Sequence, residues 1–388
     1  MITNIDRLRS EQGMILFSCL AILSILLMVG IGSRVMLYND YRVLTNLRGG
    51  TEAFYVSAAG LEWSKNTLAQ IAIFPPAPVN GTASFANGQF SISFFPPTVA
   101  GSLSAKIVVR SVGTLGTSSQ TIQAQLTKSY DLADAAIGLR GNGAQVILNG
   151  AAIAVSGLDH DPLTGLPIAK AKARPAISAG DQSLQELVTA ASSSLPPGSL
   201  ESGGEISPVA ASEYLPASSV SQLANDLCAL DGAIVSSMPT TGALTIENQS
   251  WGNLASPQIR CINGLSDSGD AVTLAGDLTG AGVLIVRNAD LLLTGSLRWD
   301  GLIIVTGNDV GLKVTGSSAK EIYGGVIVNE AGTPSSKTIL DIQGSLRLRF
   351  SRSALVQAAQ AIPATTFTNL YAALPFQVSQ DYWRTVSP

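Results

Sequence analysis

The sequence EQGMILFSCLAILSILLMVGIGS, at residues 11–33, decides how the rest of the chain is arranged. From residue 14 to residue 33 it has no charged side chain and no proline over 20 residues. A helix of that length rises about 30 Å, which matches the thickness of the hydrocarbon layer of a bilayer. The stretch therefore predicts one membrane-spanning helix, with everything else attached to its C-terminal end.

A cleaved secretory signal and a plain signal anchor are two other interpretations of this stretch. A secretory signal has a shorter apolar core, a basic start and a cleavage site between small residues. Here Arg7 and Arg9 are offset by Asp6 and Glu11, and the apolar core is longer. A plain anchor fits the hydropathy, but it does not explain the amphipathic sequence that follows.

After Ser33 the chain continues with apolar residues at a mostly helical spacing as far as about Ile73. We predict one helix of about 55–60 residues, weakened at Gly49-Gly50 by the poor helix propensity of glycine. Prolines at 75, 76 and 78 should end it, because proline lacks the amide donor. The half at 14–33 would lie in lipid, and the amphipathic half at 34–74 would pack on protein.

This beginning resembles the PilX-type minor pilins of type IV pili. A short polar leader ends at Gly13, an apolar run follows directly, and AFYVSAAGLEW at residues 53–63 is similar to the AFYAAEAGLE segment of that family. The resemblance covers roughly residues 7–71. It departs from the family at Ala58, where a glutamate is usual.

The resemblance implies that a prepilin peptidase removes the leader, residues 1–13, by cutting between Gly13 and Met14, and then methylates the amine of Met14. A glycine at the cut lets the peptidase approach the backbone. Major pilins carry a glutamate at the fifth position after the cut, where it pairs with the N-terminal amine of a neighbouring subunit. Ser18 stands there in this chain, which indicates a minor or tip subunit.

The segment at 75–130 has the pattern of a small antiparallel meander. An Asn87-Gly88 turn divides its first part, and apolar residues alternate on both sides of a glycine-rich turn in the second. One meander cannot bury both of its faces. We therefore expect the helix to pack on it, as the pilin resemblance also implies.

From Tyr130 onward, short apolar runs recur between glycine, asparagine and aspartate. They form two series, at intervals of 19 and 24 and of 19 and 21 residues: VLIV, LIIV and VIV at Val283, Leu302 and Val326, and VTL, LLL and LKV at Val272, Leu291 and Leu312. Two strands in a coil of about 20 residues predict a β-solenoid over 131–355. A β-sandwich is the alternative.

The first series is apolar at consecutive positions, so both faces of its strands should be buried. The insertion at 180–257, with two short predicted helices, is the candidate cover, and 356–388 is predicted to be a C-terminal tail. The predicted class is α+β: a long N-terminal pilin-type helix, a small antiparallel sheet and a mainly β C-terminal region.

Composition restricts the chemistry. The chain has 388 residues, of which 46% are hydrophobic and 13% charged, and its net charge is −4. Because it has no basic tract, no nucleic-acid partner is expected. His160 is the only histidine. Neither a cofactor nor a metal is assigned, although two groups of aspartates remain open as cation ligands or as ordinary turn residues: Asp159 and Asp161 beside His160, and Asp267, Asp270 and Asp277.

Catalysis would need acids and bases that project together from one sheet face. The candidates are scattered along the sequence, so no enzyme activity is predicted: Asp290, Asp300, Asp309, Asp341 and Lys313. Four aromatic residues could stack on a sugar or could simply be packed in the core: Trp251, Trp299, Tyr323 and Trp383.

Cys19 lies inside the predicted span and cannot meet the other two cysteines. Cys228 and Cys261 therefore form the only possible intrachain disulfide. The alternative is two separately buried thiols.

The resemblance implies a non-enzymatic minor pilin that takes part in pilus assembly as a priming or tip subunit. It would be held in the inner membrane by one span, with its C-terminal region in the periplasm, and would reach the cell surface in the pilus. Expected partners are other minor pilins, a pilus tip protein, prepilin peptidase and inner-membrane lipid. The alternatives are a GspK-like pseudopilin of a type II secretion system and a membrane-anchored adhesin or carbohydrate-binding β-solenoid.

Overall fold

The computed structural model describes residues 3–71, 79–101, 103–141, 145–150, 152–169, 171–204, 206–240, 242–265, 270–332, 337–367 and 373–386. The side chains at 3–15, 99–101 and 364 lie outside this description.

One continuous helix, α1, runs from Thr3 to Gln70 over 68 residues, which is about 100 Å at 1.5 Å per residue. It passes through Gly49 and Gly50 without a break. The other helices are short: α2 (Gln182–Ser192), α3 (Ala217–Cys228) and α4 (Arg352–Ala358), followed by 3₁₀ turns at Ala359–Ala361 and Ala364–Phe367.

The strands, in chain order, are β1 (Gly81–Phe85), β2 (Gly88–Phe94), β3 (Thr98–Gly101), β4 (Ser104–Leu115), β5 (Ser118–Tyr130), β6 (Ile137–Gly141), β7 (Gln145–Leu148), β8 (Ile153–Ser156), β9 (Ile177–Ala179), β10 (Leu200–Glu201), β11 (Val209–Ala211), β12 (Ile234–Ser237), β13 (Ala243–Glu247), β14 (Ser250–Trp251), β15 (Gln258–Asn263), β16 (Ala271–Ala275), β17 (Asp277–Arg287), β18 (Asp290–Leu293), β19 (Ser296–Gly307), β20 (Leu312–Val314), β21 (Lys320–Glu330), β22 (Thr338–Ile342), β23 (Leu346–Phe350) and β24 (Phe376–Val386).

The C-terminal half of α1 packs on an antiparallel sheet with strand order β1-β2-β4-β5-β24, in which β3 also pairs with β4. We call this unit the helix–sheet domain. The predicted α+β class, with a long helix on a small antiparallel sheet before a mainly β region, is confirmed.

The sequence prediction missed the last strand of this sheet. The segment at 356–388 was predicted to be a tail, but β24 pairs antiparallel with β5, from Phe376 opposite Tyr130 to Val386 opposite Thr121. Such a pairing joins parts of the chain that are far apart in sequence, and periodicity carries no information about it.

The remaining strands form two parallel sheets, which we call the parallel domain. The first has the order β10-β8-β23-β21-β19-β17-β15-β12, and the second has the order β13-β16-β18-β20-β22-β7. From β15 to β23 the strands alternate between the two sheets along the chain. The sandwich alternative would need antiparallel sheets, whereas the strand pairs described in both sheets are parallel.

The chain enters this stack beside the place where it later leaves it. β6, β7 and β8 pair with β21, β22 and β23, the last strands of the stack. The insertion then carries the chain to the opposite edge, where β12 and β13 begin the return. Entry and exit therefore lie together, next to the helix–sheet domain, and β24 can reach β5.

The consecutive apolar runs of β17, β19 and β21 are buried throughout, as their composition predicts. Helix α3 of the insertion packs against these strands and β15, and α4 packs against the same three strands. The insertion is thus only part of the cover, because α4 supplies the rest.

A row of glycines crosses the centre of these three strands. Gly282 lies opposite Gly301, and Gly301 lies opposite Gly324. Their φ angles are 120°, 142° and 139°, in a region that side chains rarely adopt. A Cβ on Gly301 would lie 2.1 Å from the carbonyl oxygen of Gly282. The strands can stack at this row only without side chains.

We therefore expect Gly301→Ala to lower the free energy of unfolding of the parallel domain by at least about 2 kcal/mol, through backbone strain and the clash together. Gly232→Ala is the matched control, because a Cβ there meets nothing within 4 Å. Thermal unfolding of both full-length variants in detergent tests this. Equal midpoints for the two variants would contradict it.

Candidate assembly site

The N-terminal half of α1 projects from the protein with its apolar side chains exposed. The exposed set includes Leu16, Phe17, Leu20, Leu23, Ile25, Leu26, Val29, Ile31, Val35, Leu37, Leu44 and Leu47. Among the described residues, α1 is the one helix long and apolar enough to cross a membrane, and none of its most apolar window is buried. Such a surface needs lipid or other apolar helices around it, so α1 is suited to be a membrane anchor.

Few polar side chains interrupt this apolar half. Ser24 Oγ donates to the carbonyl oxygen of Leu20 at 2.8 Å, so its hydroxyl is satisfied within the helix. Ser18 and the free thiol of Cys19 are exposed on the same half. Gly13 and Met14 lie in the helical backbone, and their side chains are outside the described part of the chain.

The C-terminal half of α1 buries one face on the sheet. The buried residues recur every three or four positions: Ala53, Val56, Ser57, Gly60, Leu61, Ser64 and Leu68. Four of these seven are alanine, serine or glycine. Small residues at a helical spacing let the helix axis come close to the strands beneath it.

Two glycines mark the point of closest approach. A Cβ on Gly60 would lie 2.3 Å from Ser111 Oγ, and one on Gly113 would lie 2.3 Å from the amide nitrogen of Ser57. Between them, Ser57 Oγ donates to Ser111 O at 2.9 Å and Ser111 Oγ donates to Ser57 O at 2.7 Å. The small residues of the AFYVSAAGLEW segment therefore have a packing role.

Lys128 of β5 holds the C-terminal end of α1. Its buried ammonium donates to the carbonyl oxygen of Leu68 at 2.8 Å and to that of Ile71, two groups left unpaired where a helix ends. It also lies 4.2 Å from the centre of the Phe376 ring on β24. Burial lowers the pKa of Lys128 to about 8. One lysine thus connects α1, β5 and the C-terminal strand β24.

A second buried charge cluster lies where the helix–sheet domain joins the parallel domain. Asp131, directly after β5, accepts from Arg174 and from both Nε and Nη2 of Arg352, the latter two at 2.8 and 3.0 Å. Its amide nitrogen donates to Pro375 O at 2.8 Å, just before β24. These contacts hold the entry and exit segments of the parallel domain together.

The candidate cation ligands beside His160 belong to this same charge cluster, because Asp159 contacts Arg352. Asp159 is buried and accepts from the amide nitrogen of Arg352 at 2.8 Å. Burial raises the pKa of Asp159, against the lowering effect of Arg352. His160 is also buried, and its Nδ1 lies 2.7 Å from Leu158 O. Asp159 and His160 Nδ1 thus have partners within the fold, which neither a cation site nor an ordinary exposed turn predicts.

The other candidate acids do not converge. Asp270 accepts from the amide of Leu265 at 2.7 Å, Asp277 is exposed, and Asp267 lies outside the described residues. Within the described ranges, no three histidine, cysteine, aspartate or glutamate side chains form a group that could hold a metal ion. Two of the acids considered and rejected as catalytic have nearby basic partners: Asp290 with Lys313 at 2.9 Å, and Asp300 with Arg298 at 3.3 Å.

Three of the four aromatic residues considered for sugar stacking are buried. Trp251 and Trp299 meet edge to face with centroids 6.4 Å apart, and Tyr323 lies beneath the guanidinium of Arg298 at 4.6 Å. Trp383 is half exposed and packs beside Phe54 of α1 at 6.0 Å. The adhesin alternative thus loses most of the stacking faces on which it was based.

The structure joins Cys228 at the end of α3 to Cys261 in β15, with the sulfurs 2.05 Å apart and the Cα atoms 5.7 Å apart. Sequence reasoning did not find Lys128 or Asp131. A lysine or an aspartate at a strand end is ordinary in a sequence, and only the tertiary contacts give it a partner.

No protein-family model matches this sequence, and no curated protein matches it. A solved structure titled "Crystal structure of competence-associated pilin ComZ from Thermus thermophilus" is similar to it at 15% sequence identity and a TM-score of 0.22, covering 87% of this chain and 98% of that one.

The close contact between α1 and β4 predicts opposite effects for two glycine substitutions in α1. Gly60→Ala should lower the free energy of unfolding of the helix–sheet domain by about 1–3 kcal/mol, because its Cβ would overlap Ser111 and Ile92. Gly50→Ala should raise it by up to about 1 kcal/mol, since its Cβ meets only Gln120 at 3.9 Å and alanine favours the helix. Thermal unfolding of the full chain in detergent measures both, and a stabilising Gly60→Ala would contradict the packing argument.

Proposed function

We propose that this chain is a PilX-type minor pilin, a non-enzymatic subunit that takes part in type IV pilus assembly as a priming or tip subunit. One observation carries the proposal: a single helix has an exposed apolar half and continues into a half held on an antiparallel sheet. Such a helix can reside in a bilayer and can later exchange lipid for the apolar helices of neighbouring subunits without refolding.

In this proposal the apolar half of α1 spans the inner membrane, and both folded domains lie in the periplasm. Other minor pilins and a pilus tip protein would contact α1 in the fibre, and prepilin peptidase would act at Gly13. The parallel domain would be a β-solenoid that faces outward from the fibre. The alternation of strands between two parallel sheets supports this last assignment.

The proposal predicts the mature N-terminus. Mass spectrometry of the protein from membranes should find Met14, N-methylated, as the first residue, and Gly13→Val should leave the chain starting at Met1, because a branched side chain blocks approach to the backbone at the cut. Gly30→Val is the control: a Cβ there meets nothing within 4 Å, so processing should continue. A cut near Ser33, or an unprocessed natural chain, would overturn the pilin assignment.

We further propose that Cys228 and Cys261 are bonded in the exported protein. The bond would tie helix α3 of the insertion to β15. Without it, only noncovalent packing of this 12-residue helix would join the two. The two cysteines are 33 residues apart in the sequence, and closing a loop of that length stabilises a fold by roughly 3–4 kcal/mol in the chain-entropy model.

Mass mapping of non-reduced peptides should therefore recover the Cys228–Cys261 pair from periplasmic material. Cys228→Ser combined with Cys261→Ser should lower the unfolding midpoint, whereas Cys19→Ala should leave it unchanged, because Cys19 is exposed on the apolar half of α1. Recovery of two free thiols would disprove the bond and would count against export of this domain.

A further inference from the structure

The apolar half of α1 leaves the helix–sheet domain at the end where β5 begins. Where α1 first meets the sheet, a Cβ on Gly49 would lie 2.5 Å from Ser118 Oγ, at the start of β5. Where α1 ends, Leu68 O accepts from Lys128 at 2.8 Å, near the end of β5. Helix and strand therefore run in the same direction along the sheet.

The parallel domain is attached at the opposite end of the helix–sheet domain. Its chain begins at Asp131, directly after β5, and returns to β24 at Phe376. The amide nitrogen of Asp131 donates to Pro375 O at 2.8 Å, so β5 and β24 are tied together at this end. Tension between the apolar half of α1 and the parallel domain therefore pulls α1 one way and both strands the other way.

Such tension loads the sheet in shear. All 12 residues of β4 pair antiparallel with β5, from Ser104 opposite Ser129 to Leu115 opposite Ser118. The hydrogen bonds of an antiparallel ladder are perpendicular to the strands, so sliding β5 along β4 strains the whole ladder together. A pull at the other end of a strand would instead open its ladder one pair at a time. The ladder between β5 and β24 is not loaded, because both strands are pulled in the same direction.

The contact between α1 and the sheet resists the same sliding at two separate places. Sliding would part Ser57 from Ser111, which exchange hydrogen bonds of 2.9 and 2.7 Å. It would also take the carbonyl oxygens of Leu68 and Ile71 away from Lys128. The side chains of both serines and of the lysine are buried, so the separated groups would lose their partners without gaining water in exchange.

We propose that the helix–sheet domain has a mechanical function: it transmits tension between the apolar half of α1 and the parallel domain without unfolding. Its resistance is directional. The β4–β5 ladder, the serine pair and the lysine contact all oppose sliding along the strands, whereas peeling β24 from its Val386 end breaks the pairs of one ladder in succession. The inference goes beyond the proposed function and does not depend on processing at Gly13.

Single-molecule force measurements on the full chain in detergent test the proposal with two pairs of attachment points. Both pairs use Cys19→Ala and Tyr41→Cys, an exposed position on α1 before it reaches the sheet. The axial pair adds Ser129→Cys at the end of β5, and the peeling pair adds Thr385→Cys, an exposed position near the end of β24. Forced unfolding is governed by the unfolding rate, so at equal loading rate we expect the axial pair to rupture at about twice the force of the peeling pair, or more.

Substitutions then test the individual contacts. Ser57→Ala combined with Ser111→Ala, and separately Lys128→Met, should each raise the unfolding rate of the axial pair under constant force by about tenfold or more and leave that of the peeling pair unchanged. Ser119→Ala, at an exposed serine of β5, is the matched control and should change neither rate.

The comparison of the axial and peeling pairs in the parent chain stands even where Lys128→Met does not fold. Equal rupture forces for the two pairs, or contact variants that weaken both pairs equally, would overturn the proposal. Processing at Met14 would remain intact in either case, so a failure here is distinguishable from a failure of the proposed function.

Discussion

Close contact between the backbone of α1 and that of β4 is the constraint on which the rest of this structure depends. Gly60 and Gly113 remove the side chains that would separate them, and Ser57 and Ser111 then exchange hydrogen bonds across the contact. Because each of these groups fixes the others, the helix cannot slide or rotate on the sheet without leaving buried hydroxyls and carbonyls unpaired. The apolar half of α1 thereby projects in one direction.

Buried charges also determine which segments of the chain meet. Only 13% of the residues are charged. Two of the buried charged residues lie where separate segments of the chain meet. Lys128 binds the end of α1 and touches Phe376 of β24, and Asp131 binds Arg174 and Arg352 at the junction between the domains. A buried charge that loses its partner costs several kcal/mol. These contacts therefore specify which segments meet, more than they add to net stability.

Local sequence predicted the elements and not their long-range pairing. The spacing of Leu61 and Leu68 on one helical face and the repeat at Val283 and Leu302 depend only on nearby residues, so the helix and the strand runs could be predicted. The pairing of β24 with β5, and the position of β6 beside β21, depend on where the chain returns. At the site, the small residues were visible in the sequence, but a lysine such as Lys128 is identified as a helix cap only by its contacts.

The position of chain entry and exit explains why the helix–sheet domain can carry so large a second domain. If β6 lay at the β12 edge of the parallel domain, the points where the chain enters and leaves that domain would be separated by its whole width. In that case β24 could not return to β5. Because β6 to β8 pair with β21 to β23, the parallel domain is connected at one end only, between Asp131 and Phe376. It behaves as an insertion between two neighbouring strands of the antiparallel sheet. Forces on it therefore reach α1 through two adjacent strands, β5 and β24, and these are the strands joined by Lys128 to the end of the helix.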